Sequence, residues 1–281
     1  MITAGISAIL PFFVFLSLSL PPPSLSLSFL PWFIPRFHFG LDPGHEDRFS
    51  IYVHASKQKP VHVSPLFIGK DIRSDKVAWG KISMVDAEKR LLANALQDAD
   101  NQHFVLLSES CIPLHNFDYV YSYLMETNIS FVDCFEDPGP HGTGRFSQRM
   151  LPEIEKKDWR KGAQWFSIKR QHAVLILVDS LYYTKFKLYC MEGRNCYADE
   201  HYLPTLFNMV DPTGIANWSV THVDWSEGKW HPKSYRARDV TFELLKNITS
   251  IDESVHVSSD AKFLTCSFQY NSANMMDRLI H

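Results

Sequence analysis

The sequence predicts an α/β fold with parallel strand pairing. Two buried-strand patterns, at residues 49–54 and 104–107, are separated by a helical pattern at residues 83–96. A strand–helix–strand order of this kind places both strands parallel in one sheet, because the helix carries the chain back across the sheet. The chain has 281 residues, enough for one large domain or two small ones with a substantial core.

The first 35 residues contain no charged side chain, and Arg36 is the first. Residues 8–20 are apolar enough for the core of a signal peptide or for a short signal-anchor. They lack a basic region that would orient them and are interrupted by Pro11, so a membrane or secretory role stays open. Proline and serine crowd residues 21–35, which is typical of a linker. We therefore expect residues 1–44 to precede the folded domain as an apolar, Pro/Ser-rich segment.

Three glycosylation patterns and a cysteine pair favour the secretory pathway. Asn128, Asn217 and Asn247 each begin an Asn-x-Ser/Thr tripeptide. Cys190 and Cys196 lie on either side of a short polar loop, which fits a disulfide formed in an oxidising compartment. No Cys-x-x-Cys pair or Cys/His spacing indicates zinc. The net charge of −3 gives no general attraction to nucleic acid.

The first predicted strand of the domain ends in polar residues. Residues 49–54 are mainly β-branched and aromatic, as in a buried strand, and His54 and Ser56 lie at its carboxyl end. Ligands of open α/β sheets bind at the carboxyl ends of strands, so both residues are candidate ligand contacts. A second short strand is expected at residues 63–68.

A helix follows, with Ser83 as its predicted N-cap and Asp86 three residues later. Its apolar residues recur at helical spacing, which indicates one core-facing side. The next strand opens onto Ser108-Glu109-Ser110. Hard cations take several oxygen ligands, so a single carboxylate makes a poor metal site and we expect no metal. Glu109 then either contacts a ligand or is solvated in a strand-end turn.

A polar loop at residues 136–149 follows a predicted helix at 118–125 and a predicted strand at 131–135. It is rich in turn-forming residues and therefore lies at the surface. The loop offers two acids, Glu136 and Asp137, and two arginines, Arg145 and Arg149.

Residues 159–166 combine bulky aromatic and basic side chains, which suit sugar faces and phosphates. Trp165 is either such an exposed aromatic or, together with Phe166, the start of a core strand. Residues 171–181 follow with the apolar spacing of a buried helix.

Two neighbouring acids, Asp199 and Glu200, lie at the predicted start of a helix. Asp199 is a favoured N-cap residue, because its carboxylate can accept the free N–H groups of the first turn. Glu200 would then keep a free side chain, and a carboxylate in this place can take a proton from a hydroxyl group. The alternative is that both acids merely complement the helix dipole.

A basic cluster lies near the end of the domain. Residues 228–238 include Lys233, Arg236 and Arg238, interleaved with aromatic side chains. These three residues either bind a phosphate group or belong to a solvated loop. The preceding residues 221–225, which end in Trp225, are strand-like.

An ordered series of motifs runs through the chain: Ser50-Ile-Tyr-Val-His-Ala-Ser56, Trp79-Gly-Lys-Ile-Ser-Met-Val-Asp-Ala-Glu88, Phe104-Val-Leu-Leu-Ser-Glu-Ser-Cys-Ile-Pro-Leu114, Asp137-Pro-Gly-Pro140, Trp159-Arg-Lys-Gly-Ala-Gln-Trp-Phe166, Asp199-Glu-His-Tyr-Leu-Pro-Thr205 and Val223-Asp-Trp-Ser226. Together they resemble the core 2/I branching β-1,6-N-acetylglucosaminyltransferases, glycosyltransferase family 14, and most closely the plant members. The resemblance implies a GT-A-like fold, a mixed and mostly parallel sheet flanked by helices, for a domain at residues 45–260.

The resemblance also implies an activity and a location. The expected activity is an inverting, metal-independent transfer of a sugar, N-acetylglucosamine in this family, from a UDP-sugar to a glycan or glycoprotein acceptor. The expected location is the Golgi membrane, as a single-pass type II protein with a lumenal catalytic domain. The family's catalytic base falls on Glu200, and positive charge is needed where the diphosphate departs. Lys233, Arg236 and Arg238 are the candidates for that charge.

The remaining candidates divide between the two substrates. The nucleotide side is assigned His54, Ser56 and Glu109. The acceptor side is assigned Glu136, Asp137, Arg145, Arg149, Trp165 and Trp225.

Both ends of the chain depart from the family pattern. Ser/Pro-rich sequence takes the place of the family's first strand, so the sheet is expected to lack that strand. The tail at residues 261–281 is atypical: the family has a lysine near its end that serves the diphosphate, whereas residues 263–271 of this chain contain no basic residue. A catalytically inactive family member or splice form, acting as a glycan- or protein-binding module, is therefore the alternative function.

Overall fold

A computed structural model of the chain describes residues 2–4, 12–19, 45–58, 60–62, 64–108, 111–190, 195–225, 227, 232–233, 235, 239–251, 253–259 and 263–267. The strands are β1 (Ile2–Ala4), β2 (Phe12–Ser19), β3 (Phe49–Ala55), β4 (Asn101–Ser108), β5 (Cys111–Pro113), β6 (Ser130–Asp133), β7 (Phe166–Lys169), β8 (Ile215–Asn217), β9 (Thr221–His222), β10 (Glu253–Val257) and β11 (Phe263–Ser267). The helices are α1 (Ile82–Ala95), α2 (Phe117–Met125), α3 (Arg170–Val178), α4 (Leu181–Tyr189), α5 (Ala198–Val210) and α6 (Phe242–Thr249). Short 3-10 turns occur at Pro65–Phe67, Thr143–Arg145 and Gln148–Met150.

The main sheet has six strands in the order β3-β2-β4-β7-β6-β8. β2 pairs antiparallel with both β3 and β4, and β7 pairs antiparallel with both β4 and β6. β8 pairs parallel with β6. The predicted α/β class is confirmed, but the expectation of mostly parallel pairing is wrong. β3, β4, β6 and β8 do run in one direction, yet β2 and β7 lie between them and run the opposite way.

The strand β2 comes from the segment that the sequence analysis placed ahead of the domain. Phe13 lies opposite His54 of β3 on one side and Ser108 of β4 on the other. Leu16 and Leu18 are buried in the core. A short uncharged run fits a strand buried on both faces as well as it fits a membrane segment, which explains the different prediction. The sheet therefore has a strand upstream of residue 45, and the folded unit includes Phe12–Ser19.

Within the described part of the chain, no helix has both the length and the apolar character needed to cross a membrane.

Two small sheets accompany the main one. β1 lies between β5 and β9, and β10 pairs with β11 in an antiparallel hairpin. That hairpin extends beyond residue 260, so part of the predicted tail is ordered as β11.

The helix α1 buries the face that its apolar spacing predicts, including Met84, Leu91 and Leu92. It begins at Ile82, however, and Ser83 is not its N-cap. The Ser83 hydroxyl instead accepts the Ala78 N–H at 3.0 Å, which fixes the turn before the helix.

Two other elements differ from prediction. The strand expected at residues 63–68 is a 3-10 turn, because Pro65 begins a turn in which the Ser64 hydroxyl accepts the Leu66 N–H. The helix expected at residues 171–181 divides into α3 and α4. Asp179 ends the first helix, and its carboxylate accepts the N–H groups of Tyr182 and Tyr183 at 3.0 and 2.8 Å.

Candidate active site

The helix α5 begins two residues earlier than predicted, so Asp199 is its second residue and not its N-cap. Tyr197 occupies the N-cap position with a left-handed φ of 54° and no side-chain cap. The Glu200 N–H donates to the Tyr197 carbonyl at 3.0 Å, closing the first turn. Glu200 is therefore held at the start of the helix, as the sequence predicts.

The structure contains the Cys190–Cys196 disulfide, which joins the end of α4 to the approach of α5 with a Cα–Cα distance of 5.0 Å. The Cys196 N–H also donates to the Cys190 carbonyl at 2.9 Å. Both links tie the end of α4 to Cys196, which immediately precedes Tyr197.

The carbonyl group of Glu200 is held from outside its own helix. Pro204 lies four residues later and has no N–H group, so the usual intrahelical hydrogen bond to the Glu200 carbonyl cannot form. The Gly162 N–H supplies the hydrogen bond at 2.9 Å. The backbone of Glu200 is thus fixed by two different segments of the chain.

The Glu200 side chain forms an ion pair with Arg145. A guanidinium nitrogen of Arg145 donates to Oε2 of Glu200 at 2.8 Å, and the two side chains are 10% and 22% exposed. Arg145 comes from the 3-10 turn at Thr143–Arg145, inside the predicted polar loop. The carboxylate therefore has one oriented partner and still faces solvent.

Aromatic side chains support this ion pair. The Arg145 guanidinium lies 4.1 Å from the centre of the Tyr197 ring, and Trp79 contacts the same ring edge-on at 5.2 Å. Gly80 has a φ of 66°, and a Cβ built on it would lie 2.7 Å from Cδ1 of Tyr197. The segment before α1 thus packs directly against the start of α5.

Two further carboxyl groups lie behind Glu200. Glu88 of α1 is 2% exposed and Asp199 is 6% exposed. Sequence reasoning did not assign Glu88 to the site, although a carboxyl group on the apolar face of a predicted helix was a usable signal.

Asp137 is buried, and protein groups donate to its carboxylate. Its carboxylate accepts hydrogen bonds from the Ser259 N–H, the Ser259 hydroxyl and the Gly139 N–H, and Lys161 Nζ lies 3.6 Å away. Asp137 thus ties the Arg145 loop to the segment after β10, and its assignment to the acceptor side stays a prediction.

The other acceptor candidates differ in how far their side chains are exposed to solvent. Glu136 and Arg149 are exposed on the loop, and Trp225 is 46% exposed. Trp165 is 2% exposed, so the core position that the sequence left open is the one it occupies. The assignment of Trp165 to the acceptor side stays a prediction.

The nucleotide candidates His54 and Ser56 are buried at the carboxyl end of β3. Neither ring nitrogen of His54 has a hydrogen-bond partner among the described residues. Burial, with a smaller effect of the Arg90 charge, lowers the pKa of His54 to about 4, so the ring is neutral at pH 7. Glu109 lies outside the described residues.

Lys233 is the one diphosphate candidate that the structure describes, since Arg236 and Arg238 lie outside the described residues. Its Nζ lies 3.9 Å from Oδ2 of Asp224 and 5.1 Å from the centre of the Tyr235 ring. Its side chain is 39% exposed, which leaves the ammonium group accessible to solvent. In the part of the chain that the structure describes, no group of three or more His, Cys, Asp or Glu side chains is placed to hold a metal ion.

A mixed sheet flanked by helices, with a partly exposed carboxylate at a helix start, is compatible with a GT-A-like glycosyltransferase. The family model for the Core-2/I-Branching enzyme matches residues 33–249, and the chain belongs to this family. It is 34% identical to glycosyltransferase BC10 of Oryza sativa subsp. japonica over 285 residues, which cover 86% of this chain and 70% of that protein. The chain is thus a glycosyltransferase, and its family implies a nucleotide-sugar donor and a glycan acceptor.

Proposed function

We propose that the protein is an inverting, metal-independent transferase that moves N-acetylglucosamine from a UDP-sugar to a glycan or glycoprotein acceptor. The observation that carries this proposal is the Glu200 carboxylate, which is oriented by Arg145 at 2.8 Å and remains partly exposed. The resemblance of the ordered motifs supports the choice of sugar and the inverting course.

Glu200 acts as the general base in this proposal. The acceptor hydroxyl oxygen attacks the anomeric carbon on the face opposite UDP, and its proton passes to a Glu200 oxygen. As the new carbon–oxygen bond forms, the bond to the UDP oxygen breaks and its electron pair leaves with the diphosphate. One positioned base is sufficient for this single displacement. Arg145 holds the carboxylate in one orientation throughout.

Basic side chains stabilise the leaving group. Lys233, Arg236 and Arg238 supply the positive charge that a growing diphosphate charge requires, in place of a metal. The single carboxylate of Ser108-Glu109-Ser110 supports metal independence, because it provides few ligands for a hard cation.

The two substrates meet at the carboxyl ends of the strands. We assign His54, Ser56 and Glu109 to the nucleotide side, and the exposed Glu136, Arg149 and Trp225, with Arg145, to the acceptor side. Such edges are the usual ligand sites of α/β sheets.

We place the protein in the Golgi lumen, with Phe12–Ser19 in the sheet as β2 and not in the membrane. Asn128, Asn217 and Asn247 are all exposed, and Cys190 and Cys196 are joined, which supports a secretory compartment. A tagged full chain that stays in the cytosol, without glycosidase-sensitive mass, would argue against this location.

The Glu200→Gln variant tests the proposed mechanism. Glutamine keeps the size of the side chain but cannot accept the proton, so turnover should fall about 10²- to 10⁴-fold while UDP-sugar binding persists. Sugar transfer and UDP binding by the purified chain are the two measurements. Glu155→Gln is the control, since Glu155 is an exposed acid paired only at the surface with Lys157.

Two results would contradict the proposal. Transfer by Glu200→Gln at nearly the parent rate would mean that the base lies elsewhere. A parent chain that binds UDP but transfers no sugar would favour the inactive, glycan- or protein-binding alternative.

A further inference from the structure

Glu88 and Asp199 are carboxyl groups in places where carboxylates are rarely found. Glu88 lies on the core face of α1, four residues after Met84 and four before Leu92, both of which are fully buried. Asp199 lies in the first turn of α5, beside Glu200. Among the described residues, Oε1 of Glu88 and Oδ1 of Asp199 have no hydrogen-bond partner.

No cation neutralises these two groups in the described part of the chain. The Arg145 guanidinium, whose charge acts on Asp199, forms its ion pair with Glu200. The groups that act on Asp199 are Glu200, which raises its pKa, and Arg145, which lowers it. The groups that act on Glu88 are Asp199 and Asp86, which raise its pKa, and the Gln164 side chain, which lowers it.

Burial is the largest influence on both groups. It raises the pKa of Asp199 to about 8 and that of Glu88 well above its usual range. A buried carboxylate without a cation costs several kcal/mol, and such a group takes up a proton instead. Two neighbouring acids of one cluster also resist simultaneous ionisation.

We propose that Glu88 and Asp199 are positioning residues for Glu200: a buried pair of protonated carboxyl groups that leaves the single negative charge of the cluster on the carboxylate facing the substrate. This inference rests on the proposed function, because Glu200 is the base that the pair positions. An ionised Asp199 would compete with Glu200 for Arg145, since both carboxylates belong to the same helix turn. The orientation of the base would then be lost.

The pH profile of kcat/KM tests this role. The parent enzyme should lose activity above about pH 8, as Asp199 gives up its proton, and should lie roughly tenfold below its plateau at pH 9. Asp199→Asn keeps a neutral group of the same shape, so it should remain within about threefold of the parent at pH 7 and lose this alkaline fall. Glu88→Gln should also remain active at pH 7. Glu126→Gln, a change to an exposed acid, is the control.

A thermal unfolding series provides a readout that does not depend on activity. A raised carboxyl pKa in the folded state makes stability fall as pH rises from the unfolded pKa toward 8. The Tm of Asp199→Asn should therefore exceed that of the parent by more at pH 7.5 than at pH 5. The same pH-dependent difference is expected for Glu88→Gln, which keeps the test valid if one variant fails to fold.

Three outcomes separate the possibilities. An alkaline limb unchanged in Asp199→Asn, or a hundredfold loss at pH 7 in a folded variant, would overturn the positioning role. A Tm difference that does not depend on pH would overturn the protonated state. A parent chain without transferase activity would overturn the proposed function, while the Tm series would still decide the protonation of the pair.

Discussion

Ser259 joins the segment after β10 to the loop that carries Arg145, and replacing it with alanine tests that connection. The Ser259 hydroxyl donates to the Asp137 carboxylate, with distances of 2.8 and 2.9 Å to its two oxygens, and accepts the His141 N–H at 3.0 Å. Asp137 is 1% exposed, so water cannot readily replace the missing hydroxyl.

The expected loss follows from the partners that remain. The backbone N–H groups of Ser259 and Gly139 still donate to Asp137, at 3.1 and 2.9 Å, so its charge is not left without hydrogen bonds. His141 is exposed, and its N–H can bind water instead. The loss is therefore one hydrogen bond to a charged group, about 1.5–3 kcal/mol of unfolding free energy. This corresponds to a roughly 10- to 150-fold lower ratio of folded to unfolded protein.

Urea unfolding at 25 °C measures this difference. Ser250→Ala is the matched control, because its hydroxyl is exposed and donates only to the Asn247 carbonyl at 2.8 Å. We expect the control to change stability by less than about 0.5 kcal/mol. If Ser259→Ala is no more destabilising than Ser250→Ala, Ser259 does not anchor Asp137 and the reasoning fails.

Two further predictions concern the turn before α1 and the metal. Gly80→Ala should destabilise the protein by roughly 1–3 kcal/mol more than Gly69→Ala. Both glycines have a positive φ, but only Gly80 lies against the Tyr197 ring. Equal losses of unfolding free energy in urea would show that the contact with Tyr197 is unimportant. Sugar transfer should persist in excess chelator, because one carboxylate at Ser108-Glu109-Ser110 is a poor metal site; an absolute requirement for manganese would contradict the assignment.

Local patterns were sufficient for much of the fold. A few neighbouring residues are enough to predict three of its elements. These are β3 from its β-branched run, β4 from its apolar run and α1 from its helical spacing. Contacts between residues far apart in sequence could not be predicted from such local patterns. The partners of β2 lie far away in sequence, and so does Ser259 from Asp137, 122 residues earlier.

The position of Glu200 was predictable, but its surroundings were not. The sequence places Glu200 at a helix start and the structure has it in the first turn of α5, while its role as the base stays a prediction. The N-cap assignment of Asp199 failed because Tyr197 takes the N-cap position in a left-handed conformation, which a local preference for an acidic N-cap does not predict. Glu88 was visible as an acid on an apolar face, but its proximity to Asp199 depends on how α1 packs against α5.

Because Phe12–Ser19 form the strand β2, the same residues cannot also form a membrane-spanning segment. The backbone hydrogen bonds of β2 go to β3 on one side and β4 on the other, whereas a membrane-spanning helix satisfies its backbone internally. If Phe12–Ser19 left the sheet for a bilayer or were removed with a leader, β3 would lose the strand that joins it to β4. His54 and Ser56 would then end a strand detached from the rest of the sheet. Whether Phe12–Ser19 stay in the sheet thus decides whether the edge proposed to bind the nucleotide is assembled at all.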